Sequence, residues 1–195
     1  MSLLGLNDSS DDKLFIRYMP SNNGWFVGKE DEVDLKHFLL NPTSIKTGWG
    51  KIAQGEAPEW HWDEAIGRRG LRPGENEEDR MNYKRGFSVD MFIKESGLRT
   101  WSTTTTGSNI GFEKLYENIH EQMASNLGKF PVVEYTGSEA MKVGKGNTRV
   151  PQFKLLKWVE SDEFANNEPN GAWEDAKPMM QQQHEVIPES EDIPF

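Results

Sequence analysis

The C-terminal fifth of the chain constrains the fold most, because its composition does not allow it to join a packed core. Residues 158–195 carry ten acidic residues and a single basic one, Lys177, for a net charge of -9. The same stretch holds the sequence NNEPNG and a run of three glutamines. Segments this polar and charged bury too little apolar surface to offset the entropy lost on ordering. We therefore predict a folded domain over 13–159 and a disordered acidic tail over 160–195.

The charge of the folded part is close to balanced once this tail is set aside. The whole chain has a formal net charge of -10, so the other 157 residues carry only -1. Within them, 67–157 has 15 basic and 11 acidic residues, and a basic half of this kind can bind a polyanion locally. The chain has 0 Cys, which excludes disulfides, thiol catalysis and cysteine-ligated metal sites. Without a long apolar run or a signal-peptide pattern, we expect a cytoplasmic protein with no membrane span.

The clearest secondary-structure signal is the strict alternation of the segment Tyr83–Lys94. Phe87, Val89, Met91 and Ile93 fall on one face of a strand, which predicts that they belong to the core. We place Phe153 and Leu155 in the same core. Four other runs are predicted as strands, and one stripe of apolar residues predicts a helix: the strands are 43–51, Leu98–Thr104, Phe130–Tyr135 and Val150–Val159, and the stripe is Phe112, Leu115, Tyr116, Ile119 and Met123.

The order of these elements indicates a fold class. A mainly β chain in which one helix separates the third and fourth of five strands has the order of an OB-fold-like barrel. An α+β sandwich gives a similar string of elements, so the order leaves that alternative open. Residues 53–82 are rich in Gly, Pro and charge, and we interpret them as a long loop.

The extreme C-terminus breaks the character of the tail. Glu191, Asp192, Ile193, Pro194 and Phe195 place two apolar side chains beside the terminal carboxylate, after acidic residues. A small pocket ringed by Lys and Arg is the kind of partner that captures such a tip. Ser190–Phe195 resembles the acidic tip, ending Asp-Ile-Pro-Phe, of bacterial-type single-stranded DNA-binding proteins. The longer body and the 53–82 excursion make the chain more similar to divergent, phage-type members of that class.

The resemblance implies an OB-fold body that coats single-stranded DNA in replication, recombination and repair. It also implies a tip, Asp192 to Phe195, that recruits replication and repair proteins. We expect a homo-oligomer in the cytoplasm of a bacterium or of a phage-infected host, with no enzymatic activity, cofactor or metal. Sequence-independent binding of single strands requires aromatic faces for the bases and cations for the phosphates. The predicted DNA-binding residues, with Phe92, Lys94, Arg99 and Trp101 placed opposite the core, are Trp49, Lys51, Arg68, Arg69, Arg72, Phe92, Lys94, Arg99 and Trp101.

Two rival functions follow from the same sequence. The near-neutral body is compatible with a phage adaptor that does not bind DNA and docks on host replication proteins through its tip. A metal-dependent nuclease would need Asp63, Glu64 and Asp90 to meet, although nothing in their spacing favours this. The histidines are scattered, and we interpret Trp60 to Glu64 as a solvated loop with an aromatic anchor.

Overall fold

A computed structural model describes residues 15–28, 31–53 and 57–160. In these residues the chain is mainly β, with one long helix. The strands are β1 (Phe15–Met19), β2 (Gly24–Val27), β3 (Asp31–Val33), β4 (His37–Leu40), β5 (Lys46–Lys51), β6 (Glu59–Trp62), β7 (Lys84–Ile93), β8 (Gly97–Thr103), β9 (Lys129–Val143) and β10 (Gly146–Glu160). The helices are α1 (Glu77–Asn82), α2 (Thr106–Met123) and a 3-10 turn over Pro42–Ser44. The predicted tail and its tip, Asp192 to Phe195, lie outside the described residues.

The strands form one mixed, open sheet in the order β10-β9-β4-β7-β8-β1-β2-β3. All neighbours are antiparallel except β1 and β8, which run parallel. Strand β5 also pairs with β7, and β6 lies outside β5. The predicted mainly β character with one long helix is confirmed. The described part of β8 pairs with β7 and β1 and not with β10, so the described strands form an open sheet.

Strands β4 and β5 act as one interrupted strand along the edge of β7. β4 pairs with the C-terminal part of β7 and β5 with its N-terminal part. The 3-10 turn separates them because Pro42 cannot continue a ladder and the side chain of Asn41 caps the turn, accepting from the Thr43 amide at 3.0 Å. The interruption lets β9 pair beside β4 and β6 pair beside β5. As a result, β5, β6 and the start of β7 form a three-stranded extension of the sheet.

The main core lies on one face of the sheet, under helix α2. The alternation predicted for β7 is confirmed, since Phe87, Val89, Met91 and Ile93 are all at most 3% exposed. Phe112, Leu115 and Ile119 of α2 close this core as predicted. The last strand is displaced by bulges at Gln152/Phe153 and Leu155/Lys157. Phe153 is therefore only partly buried against the core, and Leu156 takes a fully buried place in a second cluster where we had expected Leu155 in the core.

Phe92 and Trp101 are buried, which corrects their predicted exposure. Phe92 does lie on the face opposite the main core, but Leu39, Val132 and Leu156 pack around it in the second cluster, and it is 1% exposed. Trp101 is on the core face, because the register places it opposite Val89 and residues directly opposite each other share a face. It is 0% exposed.

Helix α2 packs against β10 at very short range. A Cβ added at Gly107 would collide with the carbonyl oxygen of Arg149, and one added at Gly111 with that of Pro151. These two carbonyls are two residues apart and therefore point to the same edge of β10. The helix backbone thus lies where another strand would pair, and Pro151 has no N–H to offer one.

The segment predicted as a long loop, 53–82, contains two regular elements in its described part. Strand β6 extends the sheet. Helix α1 is capped at its N-terminus by Asn76, whose side chain accepts from the Asp79 amide at 2.9 Å. Its three acidic first-turn residues complement the helix dipole. The described helices include none with the length and apolar character that a bilayer crossing requires.

Candidate functional site

The three-stranded extension presents two different faces. Register places Gly50 between Trp60 of β6 and Lys84 of β7, and places Gly48 between Trp62 and Gly86. Because side chains alternate along a strand, these residues share the outer face, opposite the main core. Trp49, its neighbour His61 and Arg85 point to the reverse face, which continues from the core.

On the outer face, Trp60 and Trp62 stack on one another. Their ring centroids are 4.4 Å apart and their planes differ by 6°. We call this pair the indole stack. Glycines make room for it: a Cβ built at Gly50 or Gly86 would lie 2.8 or 2.9 Å from Cη2 of Trp60, and one at Gly48 would lie 3.0 Å from Cε3 of Trp62. Gly48, Gly50 and Gly86 therefore form a glycine floor that only residues without a side chain can provide.

Two lysines and a threonine methyl group adjoin the indole stack and its glycine floor. The Lys46 ammonium lies 5.9 Å from the centre of the Trp62 ring, at cation–π range, and Lys84 is exposed beside Gly50. The methyl group of Thr104 adjoins the glycine floor. Trp62 is 38% exposed, which is unusual for so large an apolar side chain. The face therefore combines an accessible aromatic surface with free positive charge.

On the reverse face, Trp49 lies beneath three guanidinium groups. Those of Arg69, Arg72 and Arg85 lie 4.7, 5.1 and 5.4 Å from its ring centre. The indole N–H donates to the carbonyl of Gly70 at 2.9 Å, and Trp49 is only 7% exposed. The ring of Trp49 is therefore covered by arginines and not open to a stacking base, and its contact with DNA stays a prediction.

A buried carboxylate holds this arginine cluster in place. Asp63 accepts from the two terminal nitrogens of Arg85 at 2.8 and 2.5 Å, from the Thr47 hydroxyl at 2.6 Å and from the Gly70 amide at 2.9 Å. The Asp63 side chain is 2% exposed. Its hydrogen bonds with Arg85 hold its pKa far below the usual range. Asp63 therefore stays ionised and fixes the loop that carries Arg68, Arg69 and Arg72.

The remaining reverse-face groups are tied to α1 and its surroundings. Lys51 pairs with Asp79 at 3.2 Å and lies 5.5 Å above the ring of Tyr83. The Tyr83 hydroxyl donates to Glu59 at 2.6 Å, which raises the pKa of Tyr83 to about 12. Arg72 donates to the Tyr83 carbonyl at 3.0 and 2.6 Å. These bonds leave Arg68 and Arg69 as the most available cations of this face. Among the described residues, Arg68 meets only Glu64, at 3.5 Å and highly exposed, and Arg69 lies over the Trp49 ring.

The structure brings together only part of the predicted set. Trp49, Lys51, Arg68, Arg69 and Arg72 gather on or beside the reverse face of the extension. Phe92 and Trp101 lie in hydrophobic clusters. Lys94 is exposed at the far end of β7, beside a cleft of about 550 Å³ that also contains Glu32, Asp34 and Glu95.

Arg99 does not lie beside an exposed Trp101 as predicted. It pairs with Met91 on the core face, and burial lowers its pKa. Its terminal nitrogen donates to the carbonyl of Leu98 at 2.6 Å. Arg99 is therefore partly withdrawn from solvent.

The carboxylates of the nuclease alternative are not brought together. Asp63 binds Arg85 on the reverse face, whereas Asp90 is on the outer face and accepts from the Thr100 hydroxyl at 2.8 Å. Glu64 is exposed beside Arg68. Across residues 15–28, 31–53 and 57–160, no three acidic or histidine side chains gather at metal-binding distance.

Sequence reasoning missed the outer face. Trp60 and Trp62 lie in the segment interpreted as a solvated loop, and neither Lys46 nor Lys84 is among the predicted DNA-binding residues. The available signal was the alternation in Glu59-Trp60-His61-Trp62, together with glycines two residues apart at 48 and 50. Only the pairing of β6 with β5 shows that the indoles and the glycines meet.

Comparison of the chain with protein-family models, with curated proteins and with solved structures gives no match. The candidate function therefore depends on the geometry of the extension and on the chemistry of its side chains.

Proposed function

We propose that the protein binds single-stranded DNA without sequence preference. The observation that carries the proposal is the indole stack on its glycine floor, with Lys46 and Lys84 beside it. Exposed aromatic faces flanked by cations suit any nucleotide, because every base has a π-face and every linkage a phosphate. Each stacked base contributes about 1–3 kcal/mol.

We further propose that the body is an OB-fold with an incompletely closed barrel. The interrupted strand β4–β5, then β7, β8, α2, β9 and β10, follows the order of that fold and repeats its pairings of first with second, second with third, first with fourth, and fourth with fifth. In an OB-fold, the faces of strands two and three and the loop after strand one bind oligonucleotides. The indole stack lies on the corresponding face and belongs to the corresponding loop.

Arg68 and Arg69 supply phosphate contacts on the reverse face of the three-stranded extension. Arg68 and Arg69 project from a loop that Asp63 and Trp49 hold in place. In the described residues β6 pairs only with β5, so its other edge is open. A flexible single strand that passes over this edge reaches both faces, whereas a stiff duplex does not.

The tail has a separate role in this proposal. The tip from Asp192 to Phe195 docks on replication or repair proteins through its apolar side chains and terminal carboxylate. The near-neutral charge of the body, -1 outside residues 158–195, supports the alternative of an adaptor that uses the tip alone. The two functions differ in whether the body binds DNA.

Tryptophan fluorescence during titration with an unlabelled oligothymidylate tests the proposal. The protein without Trp60 and Trp62 (both changed to Ala) is compared with wild type and with Trp173→Ala, a control in the tail. We expect quenching in wild type and in the control, and an affinity loss of about tenfold or more in the double variant. Salt should weaken wild-type binding with a slope of about -0.7 per phosphate contacted.

Wild-type affinity retained by the double variant would show that the indole stack is not the site. Absence of binding by wild type, with capture of a partner through the tip, would select the adaptor.

A further inference from the structure

The outer face that carries the indole stack continues along β7 and β8 to the N-terminal strand β1. Side chains alternate along a strand, so Ser88 and Asp90 of β7 lie on the same face as Gly86 of the glycine floor. Asp90 pairs with Thr100 of β8, and Thr100 pairs with Phe15 of β1. Because residues directly opposite each other share a face, Phe15 lies on the outer face as well.

The far end of this face carries a second exposed aromatic ring. Phe15 is 51% exposed, whereas its neighbour Ile16 is 1% exposed and packs in the main core. Leu98, two residues before Thr100 on β8, is 45% exposed on the outer face. Arg17, two residues further along β1, is also exposed and adds a cation. An accessible ring beside a positive charge repeats the chemistry of the indole stack, and we call the two sites the aromatic platforms.

Small side chains form the surface between the aromatic platforms. Thr104 lies beside Trp60 over the glycine floor, and Ser88 and Ser102 are opposite each other on the way to Thr100. The four residues from Thr104 to Thr100 advance about 13 Å, and β1 is about 5 Å further across the sheet. The platforms are therefore about 14 Å apart, which is about four nucleotide spacings of a stacked strand.

We propose that a single strand of DNA crosses the outer face from the indole stack to β1, where one base stacks on Phe15. This inference rests on the proposed function. It gives a DNA contact to a strand outside the set of β4, β5, β7, β8, β9 and β10 that follows the OB order. A strand on this path passes the carboxylate of Asp90, which accepts from the Thr100 hydroxyl at 2.8 Å and repels a nearby phosphate. The path can therefore be tested by removing this charge as well as by removing the ring.

Oligothymidylates of two lengths test the path with the full-length protein. Tryptophan fluorescence, which reports the indole stack, is followed with dithymidylate, too short to span both platforms, and with decathymidylate. Phe15→Ala should bind decathymidylate about tenfold more weakly than wild type, because one stacked base is lost, and should bind dithymidylate equally well. An equal loss for both lengths, or no loss for decathymidylate, would overturn the proposal.

Three further variants distinguish stacking on Phe15 from apolar packing. Phe15→Tyr keeps the ring and should bind decathymidylate as wild type does. Phe15→Leu keeps apolar bulk without a π-face and should show the same loss as Phe15→Ala. Leu127→Ala, at an 82% exposed position in the turn after α2, should have no effect. Wild-type affinity in Phe15→Leu would show that no base stacks there.

Asp90→Asn should change the affinity in the opposite direction, and misfolding does not produce a gain. The amide keeps an acceptor for Thr100 and removes the charge, so decathymidylate should bind about threefold more tightly at low salt, with no gain at high salt. Glu117→Gln, exposed on α2 across the main core from the path, makes the same change in net charge and should give no gain. Equal affinity of Asp90→Asn and wild type would place the strand elsewhere.

The outcome is separable from that of the proposed function. Decathymidylate binding that depends on Trp60 and Trp62, but not on Phe15 or Asp90, refutes the path alone. Absence of single-strand binding by wild type refutes the proposed function, and the path with it.

Discussion

Asp63 illustrates at the scale of one residue how a carboxylate shapes a surface without taking part in chemistry. Its two oxygens accept four hydrogen bonds, from β5, from β7 and from the loop that carries the arginines. All of these bonds favour the ionised form, and those from Arg85 lower its pKa most. The residue named in the nuclease alternative is therefore the anchor of the cationic loop.

Asp63→Asn should destabilise the protein by about 2 kcal/mol at neutral pH, because it leaves the partly buried Arg85 without its charge partner. The pKa of Asp63 is lowered on folding, so its contribution is complete above the unfolded-state value of about 3.9 and is lost as the pH falls below it. The difference in the free energy of unfolding between wild type and Asp63→Asn should therefore become smaller as the pH is lowered. Urea unfolding at neutral pH and at about pH 3 measures both quantities.

Glu64→Gln is the matched control for this prediction. Its carboxylate is 83% exposed and meets Arg68 only at 3.5 Å, so its removal should change stability very little at any pH. If the stability difference between wild type and Asp63→Asn does not change with pH, the lost stability does not come from the ion pair with Arg85.

The glycine floor gives a second prediction at this scale. Gly50→Ala places a methyl group 2.8 Å from Trp60 and from Thr104, so the indole must move and the indole stack must open. Single-strand affinity should fall by about tenfold while the fold remains. Near-ultraviolet circular dichroism reports the geometry of the indoles, and the fluorescence titration reports the affinity.

Gly146→Ala is the control, because the nearest atom to its added methyl group is 4.0 Å away. It should leave both signals unchanged. If Gly50→Ala changes the circular dichroism clearly but still binds single-stranded DNA tightly, DNA binding does not depend on the geometry of the indole stack.

At the scale of elements, the contact of α2 with β10 depends on two small residues one turn apart. Gly111→Ala should weaken it, because the added methyl group meets the carbonyl oxygen of Pro151. Ala is intrinsically a better helix former than Gly by about 1 kcal/mol. The sign of the change in the free energy of unfolding therefore shows whether propensity or the clash with Pro151 is the larger effect. We expect a net loss of about 2 kcal/mol in urea unfolding, since strain in tightly packed interiors costs about 1–3 kcal/mol and a backbone clash is at the severe end.

Asn118→Ala measures the effect of alanine on the exposed side of the same helix, where it removes only an exposed hydrogen bond from the side-chain amide to the Lys114 carbonyl. It should leave stability unchanged or raise it slightly. Stabilisation by Gly111→Ala as well would mean that the helix can move away from β10 at little cost.

Elements in which apolar residues repeat regularly could be predicted from the sequence. Strands whose buried face is set only by pairing with a neighbouring strand could not. The alternation in β7 identifies its core face because apolar residues repeat every second position. In β8, Leu98 and Trp101 lie on opposite faces, so the pattern gives no orientation until the pairing with β7 fixes it. Trp60 and Trp62 were missed because the glycines that admit them belong to other strands, and pairing across strands is not written in local sequence.

At the scale of the whole molecule, charge divides the chain into a near-neutral body and an acidic tail. In the proposed function, residues 158–195, with a net charge of -9, compete with DNA for the same cations. Removal of the last eight residues, Pro188 to Phe195, should tighten single-strand binding at low salt and abolish recruitment through the tip. Fluorescence titration and a pull-down with host replication proteins measure the two effects.

A tail of equal length whose Phe195 alone is changed to Ala separates charge from docking. It should retain the weaker DNA binding and lose recruitment. Equal DNA affinity of the truncated and complete proteins would refute the competition and leave recruitment unaffected.

The parallel pairing of β1 with β8 has a consequence for how the chain reaches this structure. Phe15 pairs with Thr100 and Ile16 with Trp101, which closes a loop of about 85 residues, whereas the β9–β10 hairpin closes on a two-residue turn. Contacts so distant in sequence form slowly, and the hairpin needs no such search. We therefore expect the N-terminal strands to dock late, on a sheet already built by the C-terminal half. A nascent chain emerging N-terminus first must wait for its last strands before Trp101 is covered.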